Sequence, residues 1–287
     1  MPTPQTLRDD DTLTRAPLRV VVHGAAGRMG EGIIAACAQR DDMQVIAAIE
    51  RADHPRQGQH MVPRAPVISS DLAAALAAGA DILIDFSAPA AMITAAHGAA
   101  AAGVPFLTGT TGLTLDHTAA LQLLAAQIPV LAAPNMSLGV NLLHGLVAQA
   151  SRALGAEWDI EVFELHHRYK RDAPSGTALN LAHSAAAAQA SARTLQPVRS
   201  GPDAPRRPDE IGLSAARGGD VVGEHTVFFL GDGERIELTH RATDRLIFVN
   251  GALRAARWLA AASPGSYSMQ DVLFSDPAQA PTKPDVA

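Results

Sequence analysis

Short apolar runs of β-forming residues alternate with longer Ala- and Leu-rich stretches through the first half of this 287-residue chain. Leu18–His23 predicts a strand and Met29–Arg40 the helix after it. Gln44–Glu50 predicts the next strand, and residues 51–66 carry the Pro and Gly of a loop. Val67–Ser69 predicts a short strand and Asp71–Ala78 a helix. Strands over Asp81–Phe86, Pro105–Thr108 and Pro129–Ala132 are then interleaved with helices over 89–102 and 114–127. This βαβα rhythm implies a parallel sheet covered on both faces. Right-handed crossovers make it a Rossmann-like, doubly wound α/β unit.

The rhythm changes after about residue 137. Residues 137–154 predict a long helix, Glu157–His166 an extended run and Thr177–Ala190 a helix. Residues 193–210, rich in Pro, Arg and Asp, predict a loop. Strands are expected over Ile211–Ala216, Val221–Leu230 and Arg235–His240, the last two joined by the turn signal Gly231-Asp232-Gly233. This block is α+β with an open mixed sheet, and Arg245–Ala262 predicts a final helix that returns to the first unit. The expected division is 18–136 plus 246–276 for one domain and 137–245 for the second, with 1–17 and 277–287 as loose tails. No internal repeat is visible.

Composition narrows the classes of function. Hydrophobic residues make up 47% of the chain, enough for a sizeable core. The net charge of −6 argues against a nucleic-acid partner, which needs a basic face. No stretch is long and apolar enough to span a membrane. The polar, acidic start up to Asp11 is unlike a secretion signal, so a cytoplasmic protein is expected. The single cysteine, Cys37, falls in an apolar helical run and reads as a small core residue.

The strand–turn–helix over Val20–Gly30 spaces its glycines as G-x-x-G-x-x-G. Gly24 permits a tight turn, Gly27 lets a pyrophosphate approach the backbone, and Gly30 lets helix and strand pack closely. The helix start offers amides and the positive end of a dipole to phosphates. Glu50 closes the second strand 20 residues after Gly30, the expected offset for a carboxylate on ribose hydroxyls. Arg51 beside it suits a 2′-phosphate, so the pair suggests tolerance of both NADH and NADPH. Two further strand ends carry small residues suited to a nicotinamide, at Thr108–Gly112 and Ala132–Ser137.

Of the 23 basic residues only Lys170 and Lys283 are lysines, and Lys283 lies in the Pro-rich tail. An ammonium gives up a proton when its pKa is lowered, whereas a guanidinium effectively cannot. Lys170 therefore marks a position that needs a movable proton. It sits in a dense polar run beginning His166-His167-Arg168-Tyr169. Ser175 is a candidate N-cap for the helix that follows, which leaves the Gly176 and Thr177 amides for an anion. His166, His167, Lys170 and Arg168 or Arg171 add positive charge, so an anionic substrate is the natural ligand. Adjacent histidines make a poor pair for one metal, and no metal site is expected. Two histidines and a lysine in one loop suit proton transfer.

The run Glu164–Ala178 resembles the signature of the dihydrodipicolinate reductase family. Five further segments agree in order: Gly24–Gly30, Ile84–Ser87, Gly109–Gly112, Asn135–Asn141 and Gly218–Thr226. The resemblance covers about residues 18–275. It implies reduction of 4-hydroxy-tetrahydrodipicolinate, with loss of water, by NADH or NADPH in lysine and diaminopimelate synthesis. It implies His166 and Lys170 as proton-transferring groups, and a substrate carboxylate on His167, Ser175, Gly176 and Thr177. The dinucleotide would lie on Gly24, Ala25, Ala26, Gly27, Arg28, Met29 and Glu50, with Arg51 at the NADP phosphate. Gly109, Thr110, Thr111, Ala133, Pro134, Asn135 and Met136 would complete that site. The family is typically a homotetramer built through the second sheet. Tyr169 and Met136 replace residues that are often His and Phe. Two other readings share the glycine turn: a different two-domain reductase or amino-acid dehydrogenase, and a non-catalytic dinucleotide sensor.

Overall fold

The computed structural model describes residues 16–63 and 65–277. Val20, Val21 and Val22 of β1 (Leu18–His23) are all fully buried, as a strand covered on both faces requires. Around it lie β2 (Met43–Ile49), β3 (Ile68–Ser69), β4 (Ile82–Asp85), β5 (Phe106–Thr108) and β6 (Pro129–Ala132). The helices of this half are α1 (Arg28–Cys37), α2 (Leu72–Ala77), α3 (Pro89–Ala102) and α4 (Leu115–Ala125). The remaining elements are α5 (Leu138–Leu154), β7 (Asp159–His166), α6 (Gly176–Ala187), β8 (Thr194–Pro197), β9 (Glu210–Arg217), β10 (Gly223–Gly231) and β11 (Glu234–Ala242), then α7 (Leu246–Leu259), β12 (Gly265–Tyr267) and α8 (Met269–Phe274).

The first sheet is parallel, in the order β12-β6-β5-β4-β1-β2-β3. Side chains alternate between its faces with the period of two that strand geometry imposes. Val20, Val22, Ile82 and Ile84 pack with α1 and α7, while Val21, Leu83 and Phe106 pack with α3 and α4. Order reverses at β1 and β4, so the ends of these strands form the crevice where open α/β sheets bind ligands.

The second sheet is mixed, in the order β11-β10-β7-β9-β8. Helices α5 and α6 cover one face, burying Val147, Leu181 and Ala182 on Val162, Val227 and Ile211. The other face is open and leaves Phe163 and Ile236 each 39% exposed.

Three elements depart from the sequence reading. Strand β8 lies inside the segment read as a loop, where it pairs in parallel with β9. Its four residues hold one inward apolar side chain, Leu195, so it depends on its neighbour's edge. Strand β12 adds to the edge of β6, and α8 follows through a Ser268–Asp271 capping box. Both are too short to show a period. Helix α7 does pack on α1, with Val249 and Ala252 in the shared core. Burial pushes the Cys37 thiol up to about 11, which fits a packing role. Of the two terminal stretches, only residues 16, 17 and 277 are within the described residues, and Lys283 lies outside them.

Candidate active site

The glycine turn leaves β1 at Gly24, whose φ of +76° suits a residue without a side chain. A Cβ there would stand 2.3 Å from the Phe86 carbonyl oxygen, and one on Gly30 would stand 2.3 Å from that of Gly24. Turn, helix and β4 are therefore in backbone contact. Gly27 is the exposed N-cap of α1, and among the described residues no side chain caps this helix start. Its first amides face outward beside exposed Arg28 and half-buried Met29, while Ala25 is buried beneath them. Glu50 Oε2 accepts from the Ala26 amide at 3.3 Å, and Oε1 accepts from the Arg51 amide at 3.0 Å. The Arg51 side chain is exposed and meets Asp53 at 3.3 Å. Gln57 donates to the carbonyls of Glu50 and Arg51 and ties down the loop after β2, a clamp the sequence did not reveal.

At the end of β4 the fully buried Asp85 gathers the neighbouring strand ends. It accepts from Thr108 Oγ1 and Thr110 Oγ1 at 2.7 Å each and from Ser87 Oγ at 2.6 Å, with His23 Nδ1 also 2.7 Å away. The Phe86 ring fills the space a Cβ on Gly109 would need. Thr110 thus turns its hydroxyl inward, and Thr111 is exposed at the loop tip. Beyond β6, the Ala133 amide donates to the Thr108 carbonyl, and Pro134 is exposed. The Met136 side chain is buried in the core, so this residue reaches the crevice by backbone only. Asn135 Nδ2 donates across to Thr177 Oγ1 at 3.3 Å, joining the crevice of the first sheet to the start of α6.

The polar run begins at the end of β7. Ser175 caps α6: its Oγ accepts from the Ala178 amide at 3.1 Å and meets His225 Nε2 at 3.1 Å. Ser175 is buried, so its hydroxyl serves the helix start, while Gly176 is exposed with nothing among the described residues within 4 Å of a Cβ position. Lys170 Nζ donates to Asp172 at 2.9 Å. That bond chiefly holds the Asp172 carboxyl below its usual range, with a contribution from the Gly176 amide. The ammonium therefore already holds a carboxylate just ahead of the helix start. His167 donates its backbone N–H to Val221 at 2.7 Å, and its Nδ1 has no hydrogen-bond partner among the described residues.

His166 is buried at the end of β7, with Nδ1 2.5 Å from Glu164 Oε2. Burial pushes this imidazole down, Glu164 pulls it up, and Lys170 and Arg217 push it down, for a net shift below the ordinary value. Its ring stands edge-on to His225 at 5.0 Å. Burial, with His166 nearby, drives His225 down to about 3, so it is neutral at working pH. Asn135, His166, Thr177, Gly223, His225 and His240 line one small cavity of about 50 Å³. A larger hollow of about 200 Å³, lined by Cys37, Arg40 and Pro63, brings together none of the predicted site residues. The sequence had singled out neither His225 and His240 nor Asp85 and Arg217. Each comes from a strand remote in sequence from the motif it completes.

Among known families, the matching descriptions are "Dihydrodipicolinate reductase, N-terminus" over residues 18–136 and "Dihydrodipicolinate reductase, C-terminus" over residues 139–273. The chain is 48% identical over 263 residues to the 4-hydroxy-tetrahydrodipicolinate reductase of Anaeromyxobacter dehalogenans (strain 2CP-1), covering 89% of this chain and 97% of that one. It is 44% identical over 266 residues to the protein of the same name from Nitrosomonas europaea, covering 90% and 98%. Among solved structures, a dipicolinate-bound dihydrodipicolinate reductase from Paenisporosarcina sp. TG-14 matches with a TM-score of 0.74 at 21% identity, covering 88% and 97%. GenD2 from gentamicin A biosynthesis, in complex with NAD, shares the fold with a TM-score of 0.60 at 15% identity, covering 93% of each chain.

Proposed function

The chain belongs to the dihydrodipicolinate reductase family, and from that premise we propose how its own residues divide the work. It reduces 4-hydroxy-tetrahydrodipicolinate to tetrahydrodipicolinate, with loss of water, using NADH or NADPH, in lysine and diaminopimelate biosynthesis. Family membership displaces both the amino-acid dehydrogenase and the dinucleotide sensor as readings of the glycine turn.

Residues 18–136 and 246–276 hold the dinucleotide, and residues 137–245 hold the substrate. The uncapped start of α1, with exposed Gly27 leaving the backbone bare, fits a pyrophosphate. When bound, the reduced nicotinamide supplies the hydride. Glu50 meets the ribose hydroxyls, and Arg51, weakly tethered at the surface, swings to a 2′-phosphate when one is present. Gly109, Thr110, Thr111 and Ala133 to Asn135 border the nicotinamide with backbone groups and small side chains. A substrate carboxylate displaces Asp172 from Lys170 and takes the Gly176 amide, with Thr177 and His167 beside it. Ser175 acts on that site through the helix it caps. Each turnover takes up one hydride and one proton and releases one water, and Lys170 or His166 delivers the proton.

The observation that carries this reading is the Lys170 ammonium on the Asp172 carboxylate, just before the start of α6 that Asn135 links to the first sheet. The test is an assay of freshly made cyclic substrate with each coenzyme in turn. Turnover with both is expected from the Glu50–Arg51 pair. A strict requirement for one coenzyme would reject the dual role of that pair. The protein works in the cytoplasm as a homotetramer joined through the open face of the second sheet, where Phe163 and Ile236 are exposed. Sedimentation at four chain masses checks the assembly.

A further inference from the structure

The Glu164 carboxylate is wholly buried and takes four hydrogen bonds. Oε1 accepts from the Ser175 amide at 3.0 Å and from Arg217 Nη2 at 2.8 Å. Oε2 accepts from Arg217 Nη1 at 2.8 Å and lies 2.5 Å from His166 Nδ1. The four donors belong to three separate parts of the site. His166 follows Glu164 by two residues on β7, so both side chains leave the same face of the strand. Arg217 ends β9, directly opposite His166 in the ladder, and its Nη2 also holds the Asp172 carbonyl at 2.6 Å. Ser175 starts the helix whose amides await the substrate.

We propose that Glu164 is a positioning residue for the reduction: it fixes His166 as the Nδ1–H tautomer and ties that imidazole to the first turn of α6. The inference rests on the proton-transfer role given to His166 above. An ionised carboxylate only accepts hydrogen bonds, so the hydrogen on this contact belongs to Nδ1. Burial pushes the Glu164 carboxyl up, but Arg217, His166 and the Ser175 amide outweigh it and hold it below its usual range. With Nδ1 occupied, Nε2 is the atom left for a reacting group. It faces β10 at Gly223, where a Cβ would stand 2.9 Å from Nε2, and both residues line the cavity below Asn135. A buried carboxylate that orients a histidine in this way sets which nitrogen carries the proton and keeps the ring from turning. The groups facing His166 come from every element packed on it: Glu164 on β7, Arg217 on β9, His225 on β10 and Lys170 in the following loop.

Glu164→Gln is nearly isosteric yet turns one oxygen into a donor. At the Oε1 position its NH₂ meets the Ser175 amide and Arg217 Nη2, neither of which can give up its hydrogen. At the Oε2 position it meets Arg217 Nη1 and His166 Nδ1, and the imidazole relieves that clash by moving its proton to Nε2, so this orientation is favoured and the Nδ1–H form is lost. The experiment pairs imidazole ¹⁵N spectroscopy of the ligand-free protein with steady-state kinetics. His166 is assigned from the signal missing in His166→Gln. The native protein is expected to show the Nδ1–H form. Glu164→Gln is expected to lose that form, to titrate His166 at lower pH because the carboxylate that raised it is gone, and to lower kcat at least about tenfold. KM for the dinucleotide should stay within about twofold, since no cofactor-binding residue touches Glu164. An Nε2–H form in the native protein overturns the proposal without any variant having to fold. So does a Glu164→Gln protein with native kcat and an unmoved His166 titration. The spectroscopic result needs no substrate, so it stands apart from whether the chain turns over the cyclic dicarboxylate.

Discussion

Lys170 shows how one side chain is set for two partners in succession. Its ammonium lies 2.9 Å from Asp172, on a side chain about one-fifth exposed. An exposed carboxylate partner is a weak tie, worth no more than about 1 kcal/mol, so an incoming substrate carboxylate displaces it at little cost. Lys170→Ala removes both the cation and a proton source. Turnover is expected to fall by roughly 10²–10⁴-fold, with dinucleotide affinity kept because the glycine turn is untouched. Kinetics together with fluorescence titration of the coenzyme check this, and near-native turnover would reject the role. His225 predicts a different effect, on stability. Its folded pKa of about 3 lies below the ordinary 6.5, so between these values the unfolded chain binds more protons. Its neutral, buried form therefore carries no penalty above about pH 6.5, and stability is lost as pH falls toward 3, by up to about 1.4 kcal/mol per pH unit. Urea unfolding at about pH 6.5 and pH 4.5 should show a drop that His225→Gln reduces by on the order of 2 kcal/mol. Equal drops in both proteins would mean that His225 is charged in the fold. Lys170 stood out in the sequence because arginine fills nearly every other basic position. His225 did not, since a lone histidine on an alternating strand looks the same whether it points to a site or to solvent.

At the scale of elements, the strand–turn–helix at the start of the first sheet separates binding from folding. Gly30 and Gly27 lie three residues apart, yet a methyl group has opposite consequences at the two. At Gly30 it would meet backbone, with the Gly24 oxygen 2.3 Å and Ala25 Cα 2.7 Å away. Backbone cannot move aside as a flexible side chain does, so Gly30→Ala is expected to cost about 1–3 kcal/mol. At Gly27 the nearest atom is the Gly24 oxygen at 3.3 Å, and the position is exposed. Gly27→Ala should melt close to the native protein and still weaken dinucleotide binding, because its methyl group projects where a pyrophosphate approaches. Calorimetry and coenzyme titration on the two variants check the split, and equal loss of stability in both would refute it. This unit was legible in the sequence because a tight βα turn leaves few uses for spaced glycines. Strand β8 was not, since its ladder with β9 supplies what its own four residues lack. Strand β12 was hidden for the same reason, at the edge of β6. Asp85 was visible only as a member of a matched segment. Its role comes from hydroxyls 23 and 25 residues away that the sheet order alone brings to it.

For the molecule as a whole, the cavity between the two sheets sets the constraint. About 50 Å³ lies between Asn135, His166, Thr177 and His240, whereas small-ligand sites commonly run to about 300–1,000 Å³. A site of that size leaves little room for a dicarboxylate ring, so a shift between the halves on ligand binding is expected. The chain passes between the halves at the β6–α5 link and at the β11–α7 link, and these two passages touch. A Cβ on Gly139 would stand 2.7 Å from His240 Cδ2, and one on Gly251 would stand 1.8 Å from the Met136 carbonyl oxygen. The passages therefore act as one joint rather than two. Gly139 lies in the first turn of α5, where alanine favours the helix. Gly139→Ala should thus fold normally while pressing on the His240 ring. If the joint governs closure, kcat and KM shift together in this variant, as hinge changes do. The scattering curve of the native protein with both ligands should also depart from that of the free protein. Superposable curves, or native kcat and KM in Gly139→Ala, would place the motion elsewhere.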